Sequence, residues 1–358
     1  MIKDICVEDV LDREPMVIDN KMIGDIIFGK KIMITGGSGS IGSEIVRQIA
    51  KFNPSQIILF DRNENNVFFL EKEMLAKHSN INILPRLGSI TDLERVEAIF
   101  QETCPDIVFH TAANKHVPLS ELNPSEAVYN NIYGTRLISE ACEKYNTSVF
   151  VLISTDKAVK PTSVMGATKR LAEQCIQLIS KNNSNTKFIT VRFGNVLGSN
   201  GSVFPIFKSQ IESGGPVKVT HPDMTRFFMT IPDAAKLVLE SILIGKSGDL
   251  FILDMGEPVK ILDLATRMIE AYGLKVGEDI GIEFSGVRPG EKIYEELIRD
   301  NEAIVKTSHP KINKIVTAQT DNNFLNSIIE LENLNASTEP NIIRQHLSKL
   351  IPDAVLNG

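Results

Sequence analysis

A glycine-rich turn caught between a strand and a helix limits what this chain can fold into more than any other feature. In KIMITGGSGSIGSEIVRQIA, residues 31–50, an apolar, β-rich run leads into Gly36, Gly37, Gly39 and Gly42. Ile41, Ile45 and Ile49 then repeat at i, i+4 and i+8, giving a helix with one buried stripe. Gly37, Gly39 and Gly42 fit G-x-G-x-x-G, and Gly36, Gly39 and Gly42 fit the looser G-x-x-G-x-x-G. In both, glycine permits the tight turn and lets backbone N–H groups approach a pyrophosphate at the helix N-terminus. The expected cradle is Gly36, Ser38, Gly39, Ser40, Ile41 and Gly42. Asp61 ends the next apolar run, QIILF, nineteen residues after Gly42, near the offset at which a carboxylate receives the adenosine ribose hydroxyls. Strand, turn, helix, strand and acid in this order predict dinucleotide binding. Asp61 favours NAD, because a carboxylate repels a 2′-phosphate, and Arg62 beside it leaves NADP open.

The same alternation continues with DIVFH at 106–110, VFVLI at 149–153, FITVRF at 188–193 and DLFILDM at 249–255. It predicts an α/β fold, a Rossmann-type doubly wound parallel sheet with a smaller C-terminal substrate-binding lobe. A long helix is expected from Pro124 towards Tyr145, with Ala127, Ile138 and Ala141 facing inward. The expected division is an arm over 1–30, the dinucleotide domain over 31–193 with a return near 229–256, the lobe over 194–228 and 257–315, and a helical tail over 316–358. Lobe loops such as GNVLGSNGS and SGVRPGEK carry polar clusters, as ligand-binding loops on a rigid sheet do.

With 358 residues, 42% of them hydrophobic, the chain can bury a large core. A net charge of −7, without any Lys/Arg run, lacks the footprint of a nucleic-acid or anionic-membrane binder. Cys6, Cys104, Cys142 and Cys175 are too far apart for a zinc site, and reduced, buried thiols are expected; no metal is implied. No apolar run approaches the ~20 residues of a membrane span, so a soluble cytoplasmic protein is expected.

In LISTDKAVKPTSVMGATKR, residues 152–170, Lys169 follows Met165 by four positions, and both lie on one helix face. Dehydrogenases that oxidise a sugar alcohol usually carry tyrosine where Met165 stands, and a thioether cannot take a proton. TGGSGSIGSE, HTAANKHVPLSELNP, STDKAVKPTSVMGATK, RFGNVLGSNGSVFPIF, THPDMTRFFMT and VRPGEK together resemble the polysaccharide-biosynthesis branch of the extended short-chain dehydrogenases. The best-known members of that branch are UDP-N-acetylglucosamine 4,6-dehydratases. The resemblance implies that Asp156 and Lys157 are the acid/base pair and that Lys169 holds the nicotinamide ribose. With no tyrosine, Thr155, a bound water or Lys157 is left to take the proton of the carbon-4 hydroxyl. The resemblance sets Ala112 and Ala113 on the cofactor side, with Ser89 and Ile90 at the adenine edge, where many relatives have aspartate in place of Ser89. Arg226 and Arg288 are expected near the nucleotide-sugar diphosphate, and Lys115, His116, Met165, Asn195, Ser202 and Glu291 near the substrate. Many members carry an N-terminal membrane-spanning region, and VEDVLDREPMVID looks like the arm that follows it. A homo-oligomer is expected.

Dehydration across carbons 5 and 6 of a hexose fails directly, because the hydrogen at carbon 5 is not acidic. Oxidising carbon 4 makes it removable, and the exocyclic carbon then takes the hydride back, so the dinucleotide is regenerated in each turnover. Asp156 is expected to protonate the departing hydroxyl, with a pKa raised by partial burial. Lys157 is expected to remove the proton at carbon 5, which requires a lowered pKa; an ion pair with Asp156 is the simpler reading of the two side by side. The expected activity is a 4,6-dehydratase of UDP-N-acetylglucosamine that retains configuration at carbon 5. The rivals are a 4-epimerase, a dehydratase of a GDP-linked amino sugar, and a binding protein without catalysis.

Overall fold

The computed structural model describes residues 16, 18–182, 185–317, 324–334 and 337–356. Cys6 and nearly all of the proposed arm before residue 18 lie outside these. Among the described residues, nine strands form one sheet: β1 (Lys31–Thr35), β2 (Gln56–Asp61), β3 (Ile83–Leu87), β4 (Ile107–His110), β5 (Val149–Thr155), β6 (Lys187–Phe193), β7 (Asp249–Leu253), β8 (Ala303–Lys306) and β9 (Ile312–Val316). Their order is β8-β9-β7-β6-β5-β4-β1-β2-β3. The run from β3 to β7 is parallel throughout. Strand β9 pairs antiparallel with β7, and β8 antiparallel with β9. The expected α/β doubly wound sheet is present, and the order reverses between β1 and β4. That reversal opens a crevice at the carboxyl ends of the two strands, where such sheets bind ligands.

Strand β3 was not legible in INILPRL because Pro85 cannot donate to a ladder; β3 is an edge strand, the position that tolerates proline. The predicted helix after Pro124 is three pieces: Pro124–Val128, a π-turn over Tyr129–Tyr133, and Gly134–Lys144. Its inward residues are as expected, with Ala127, Ile138 and Ala141 all buried. Helices Ser40–Ile49 and Ile231–Ile244 cover one face of the sheet, and Leu93–Thr103, Gly134–Lys144 and Val164–Ile179 the other. The tail contributes helices Phe324–Glu332 and Pro340–Leu350, whose Ile328, Leu331, Ile343 and Leu347 join the second cluster. A third apolar cluster, including Phe204, Phe207, Val217, Leu264 and Met268, supports the loops over the crevice. Cys142 and Cys175 are free and buried, but Cys104 is exposed, because it caps helix Leu93–Thr103 in a left-handed conformation (φ 43°) at the surface.

One buried charge group fastens three elements together. Arg192 of β6 forks onto Glu173 (Nη2 to Oε2 2.8 Å, Nε to Oε1 3.1 Å) and reaches Glu302 (Nη1 to Oε2 2.9 Å). Arg170 adds a contact to Glu173 at 3.1 Å, and Ser154 donates to the same carboxylate at 2.6 Å. Burial opposes the charge on Glu173, but Arg192 and Arg170 prevail and hold its pKa down to about 2. The helix carrying Met165 and Lys169 is thereby tied to β6 and to the segment around residue 302.

Candidate active site

The turn after β1 is a cradle that side chains cannot enter. Gly36 has φ +64°, and a Cβ on it would stand 2.8 Å from the backbone of Ala112. A Cβ on Gly42 would stand 2.9 Å from the Gly37 Cα and 2.9 Å from Thr111 Oγ1. Helix Ser40–Ile49 starts at Gly39 with no side-chain cap, so its first N–H groups face the crevice. Close-approach glycines and an uncapped helix start together fit a pyrophosphate. Asp61 Oδ2 accepts from Ser38 N (3.0 Å) and Ser38 Oγ (2.7 Å), which locks the acid onto the turn. Arg62 Nη2 donates to Asn114 Oδ1 at 3.2 Å. Ser89 Oγ bonds Thr91 Oγ1 at 2.7 Å, and Ile90 is buried against Gly134. All the residues expected to hold a dinucleotide line one cavity of about 1270 Å³.

The same cavity continues past β5 to the acid/base candidates. Thr155 ends the strand and Asp156 begins a short 3₁₀ turn. Asp156 Oδ1 accepts from Thr155 Oγ1 (2.9 Å) and from Lys157 Nζ (3.0 Å). Asp156 is 0% exposed, its Oδ2 has no hydrogen-bond partner among the described residues, and Thr155 and Lys157, not Asp156, line the cavity. Asp156 is therefore wholly buried rather than partly so, and it meets the cavity through its two neighbours. Lys157 Nζ also donates to Asn195 Oδ1 at 2.9 Å and lies 3.7 Å from Glu295 Oε1. Burial pulls the pKa of Lys157 down, but the Asp156 and Glu295 carboxylates outweigh it, and the net shift is upward. The expectation of a lowered pKa is corrected: flanked by two carboxylates, Lys157 is an ammonium.

Helix Val164–Ile179, capped by Ser163, brings Met165 and Lys169 to the cavity wall. Lys169 is buried and donates to the Ile153 carbonyl at 2.7 Å; burial, opposed by Glu173, pushes its pKa down to about 8. Across the cavity, loop 198–202 reaches both halves. Asn200 N donates to Ser40 Oγ (3.1 Å), and Lys115 Nζ donates to Asn200 O (2.9 Å). His116 packs under Gly201, which takes φ +70° to admit it. Ser202 Oγ and Glu291 Oε2 are buried without hydrogen-bond partners among the described residues. Arg226 is buried, with Nη1 and Nη2 donating to the carbonyls of Thr225, Lys292 and Ile293. Arg288 differs from it: the side chain is 59% exposed at the rim and pairs with Glu291.

Three polar residues of the site were not singled out from sequence. Asn131, in the π-turn, accepts from Asn114 N (2.7 Å) and donates to Asn114 O (3.0 Å) and Thr168 Oγ1 (3.0 Å), fixing the 112–114 turn to helix Val164–Ile179. His110 is held between Thr35 Oγ1 (2.7 Å) and Thr135 Oγ1 (3.0 Å), and burial, reinforced by Lys169, pushes its pKa down to about 3. Glu295 is buried beside Lys157 and Arg226. A bare Asn-Asn or Glu-Glu pair in sequence carries no signal that one member is buried at a site.

The family described as Polysaccharide biosynthesis protein matches residues 32–317. The chain belongs to this family. It is the polysaccharide-biosynthesis branch of the extended short-chain dehydrogenases. The capsular polysaccharide biosynthesis protein CapD of Staphylococcus aureus is 51% identical over 312 residues, covering 87% of this chain and 52% of that protein. The chain thus spans about half the length of that relative. The UDP-N-acetylglucosamine 4,6-dehydratase (inverting) of Campylobacter jejuni is 34% identical, covering 77% of this chain and 80% of that protein. The X-ray structure of Pen from Bacillus thuringiensis is similar with a TM-score of 0.76 at 38% identity, covering 83% of this chain and 92% of that one. Among the described residues of this family member, no helix is long and apolar enough to cross a membrane.

Proposed function

We propose that the protein is an NAD(P)-dependent nucleotide-sugar 4,6-dehydratase that converts UDP-N-acetylglucosamine to the UDP-4-keto-6-deoxy sugar with configuration at carbon 5 retained. The observation that carries this reading is the hydrogen-bonded Thr155–Asp156–Lys157 cluster, set in the cavity that also holds the glycine cradle. The Campylobacter jejuni relative named for this reaction class supports the dehydration. Its name gives the inverting course, and retention here rests on Met165 standing at the tyrosine position. When bound, the dinucleotide supplies a hydride acceptor for carbon 4 that returns the hydride to carbon 6.

The chain's own residues handle the protons. Transfer of one proton from the Lys157 ammonium to Asp156 Oδ1, across 3.0 Å, gives a neutral amine and a carboxylic acid. The amine is then the base for the hydrogen at carbon 5. The acid protonates the hydroxide leaving carbon 6 through Thr155 Oγ1, which already bonds it at 2.9 Å. The carbon-4 hydroxyl proton leaves to solvent as that carbon is oxidised. After both transfers Lys157 is again an ammonium and Asp156 a carboxylate. The ammonium, in exchange with solvent, returns a proton to carbon 5 as carbon 6 takes the hydride, and is recharged from solvent, so the ion pair is the stored form and the neutral pair the working form. Lys169, Ser38 and Asp61 would hold the dinucleotide, and Arg288 and Ser202 the nucleotide sugar.

Met165, almost fully buried beside Lys169, shapes an apolar wall and moves no proton. Met165→Leu should keep turnover within about tenfold of the parent, since such volume-conserving swaps usually cost less than ~1.5 kcal/mol. A steady-state assay decides this, and inactivity would give the thioether a chemical part. Arg288→Ala should weaken UDP-sugar affinity by about 2 kcal/mol, as for a lost charge-assisted bidentate contact, and leave NAD affinity unchanged. Calorimetric titration of each ligand separately measures both, and the reverse pattern would exchange the two phosphate sites.

The test of the whole reading is incubation of the pure protein with UDP- and GDP-N-acetylglucosamine, followed by mass spectrometry in light and heavy water. Dehydration removes one water and places one solvent deuterium at carbon 5. A product of unchanged mass in light water would mean a 4-epimerase. Binding of nucleotide sugar and dinucleotide with neither conversion nor exchange would mean a protein without catalysis. Borohydride reduction of the 4-keto group, followed by the proton couplings from carbon 3 to carbon 5 of the resulting 6-deoxy sugar, reports retention or inversion.

A further inference from the structure

We propose that Glu295 is a positioning residue: its carboxylate, set between the Lys157 ammonium and the Arg226 guanidinium, fixes where that ammonium stands against the sugar. The inference rests on the dehydratase reading above and concerns the same site. The side chain of Glu295 is 3% exposed; Oε1 lies 3.7 Å from Lys157 Nζ and 3.6 Å from Arg226 Nε, and the buried Oε2 has no hydrogen-bond partner among the described residues. A carboxylate so placed, with one oxygen unsatisfied, is costly to keep unless the charge itself has a use.

The use follows from the geometry around Lys157. A lysine ammonium has three N–H donors on a flexible stem. Asp156 Oδ1 and Asn195 Oδ1 take two of them at 3.0 and 2.9 Å, and Glu295 Oε1, at 3.7 Å, is a further carboxylate oxygen within ion-pair range. Without Glu295 the ammonium is free to swing with Asp156 and Asn195 alone. Its charged surroundings are Asp156 on its own turn, Glu295 on the segment after the 285–292 loop, and Arg226 on the strand Thr225–Arg226; Lys292, which closes that loop, faces Asp156 and Glu295. Asp156 and Glu295 act to keep its proton, and Arg226 acts against them. Glu295 is the one acid in this set that does not share the Thr155–Asp156–Lys157 stretch, so it can be changed without cutting the proton route. The neighbouring Glu296 makes the contrast, since it is 45% exposed and pairs with Lys160.

The test is Glu295→Gln, which keeps size and shape and removes the charge. The first readout needs no turnover: competitive labelling of Lys157 with acetic anhydride as a function of pH, followed by peptide mass spectrometry. The labelling midpoint should fall by about one pH unit, since an opposite charge within ~4–6 Å commonly shifts a pKa by 1–3 units. The limb of the kcat profile that reports Lys157 should move the same way, with UDP and NAD affinities within about twofold of the parent. Glu295→Asp should recover part of the shift. In a Lys157→Met background, Glu295→Gln should have no further effect on turnover, because a residue acting through Lys157 is not additive with its loss. A labelling midpoint that stays where it is in the parent, or full additivity in the double variant, would overturn the proposal. Failure of the parent itself to dehydrate the sugar would overturn the dehydratase reading instead, and the labelling result would still stand or fall by itself.

Discussion

Replacing Asp156 by asparagine lowers turnover roughly 10²–10⁴-fold and leaves nucleotide-sugar and dinucleotide affinities within about twofold of the parent. The amide keeps the shape of the side chain and still accepts from Thr155 and Lys157, whose bonds to Oδ1 are 2.9 and 3.0 Å. It cannot take the proton that turns the Lys157 ammonium into a base, so both proton steps fail together. Because Asp156 does not line the cavity, binding has little reason to change. Single-turnover product formation, read beside calorimetric titrations, measures the two effects separately. Equal losses of binding and turnover would mean that the carboxylate holds the fold of the 156–158 turn and nothing more.

Gly42→Ala has the second large effect, and on the other half of the site. A methyl group there would meet the Gly37 backbone and the Thr111 hydroxyl, both at 2.9 Å, as well as the Gly36 carbonyl. The turn must open to admit it, which removes the close approach that backbone N–H groups need. Overpacking of this kind costs about 1–3 kcal/mol, and here the loss falls on NADH affinity, about 5- to 150-fold in Kd. Fluorescence titration with NADH measures it, with UDP affinity and the thermal transition as controls. NADH binding as tight as in the parent would remove the dinucleotide from the cradle after β1.

Much of this was legible in the sequence because the constraints are local. The turn from Gly36 to Gly42 must be glycine-rich for reasons of backbone geometry, and apolar runs at a steady spacing can only stack as a parallel sheet. The pairing of Asp156 with Lys157 needed no more than adjacency. What stayed hidden depends on distant segments meeting. Strand β3 was masked by Pro85, harmless because, among the described residues, no further strand pairs beyond it. The π-turn that aims Asn131 at Thr168 has no composition of its own. The direction of the Lys157 shift could not be read from STDK, since one of the two carboxylates behind it, Glu295, lies more than a hundred residues downstream in a segment that resembles any polar loop.

The group of Arg170, Glu173, Arg192 and Glu302 also restricts how this protein can change over evolutionary time. Deleting one member of a buried ion-pair group leaves a charge without compensation, at about 3–5 kcal/mol, a large share of the roughly 5–15 kcal/mol by which a domain is stable. Replacing all four by well-packed apolar side chains could be nearly neutral, yet every single step towards that state passes through a strongly destabilised intermediate. Rim positions such as Arg288 carry no such barrier and can be rewritten one at a time. Descendants of this sequence are therefore free to acquire new specificities at the mouth of the cavity while inheriting the four charges beneath it as a single unit.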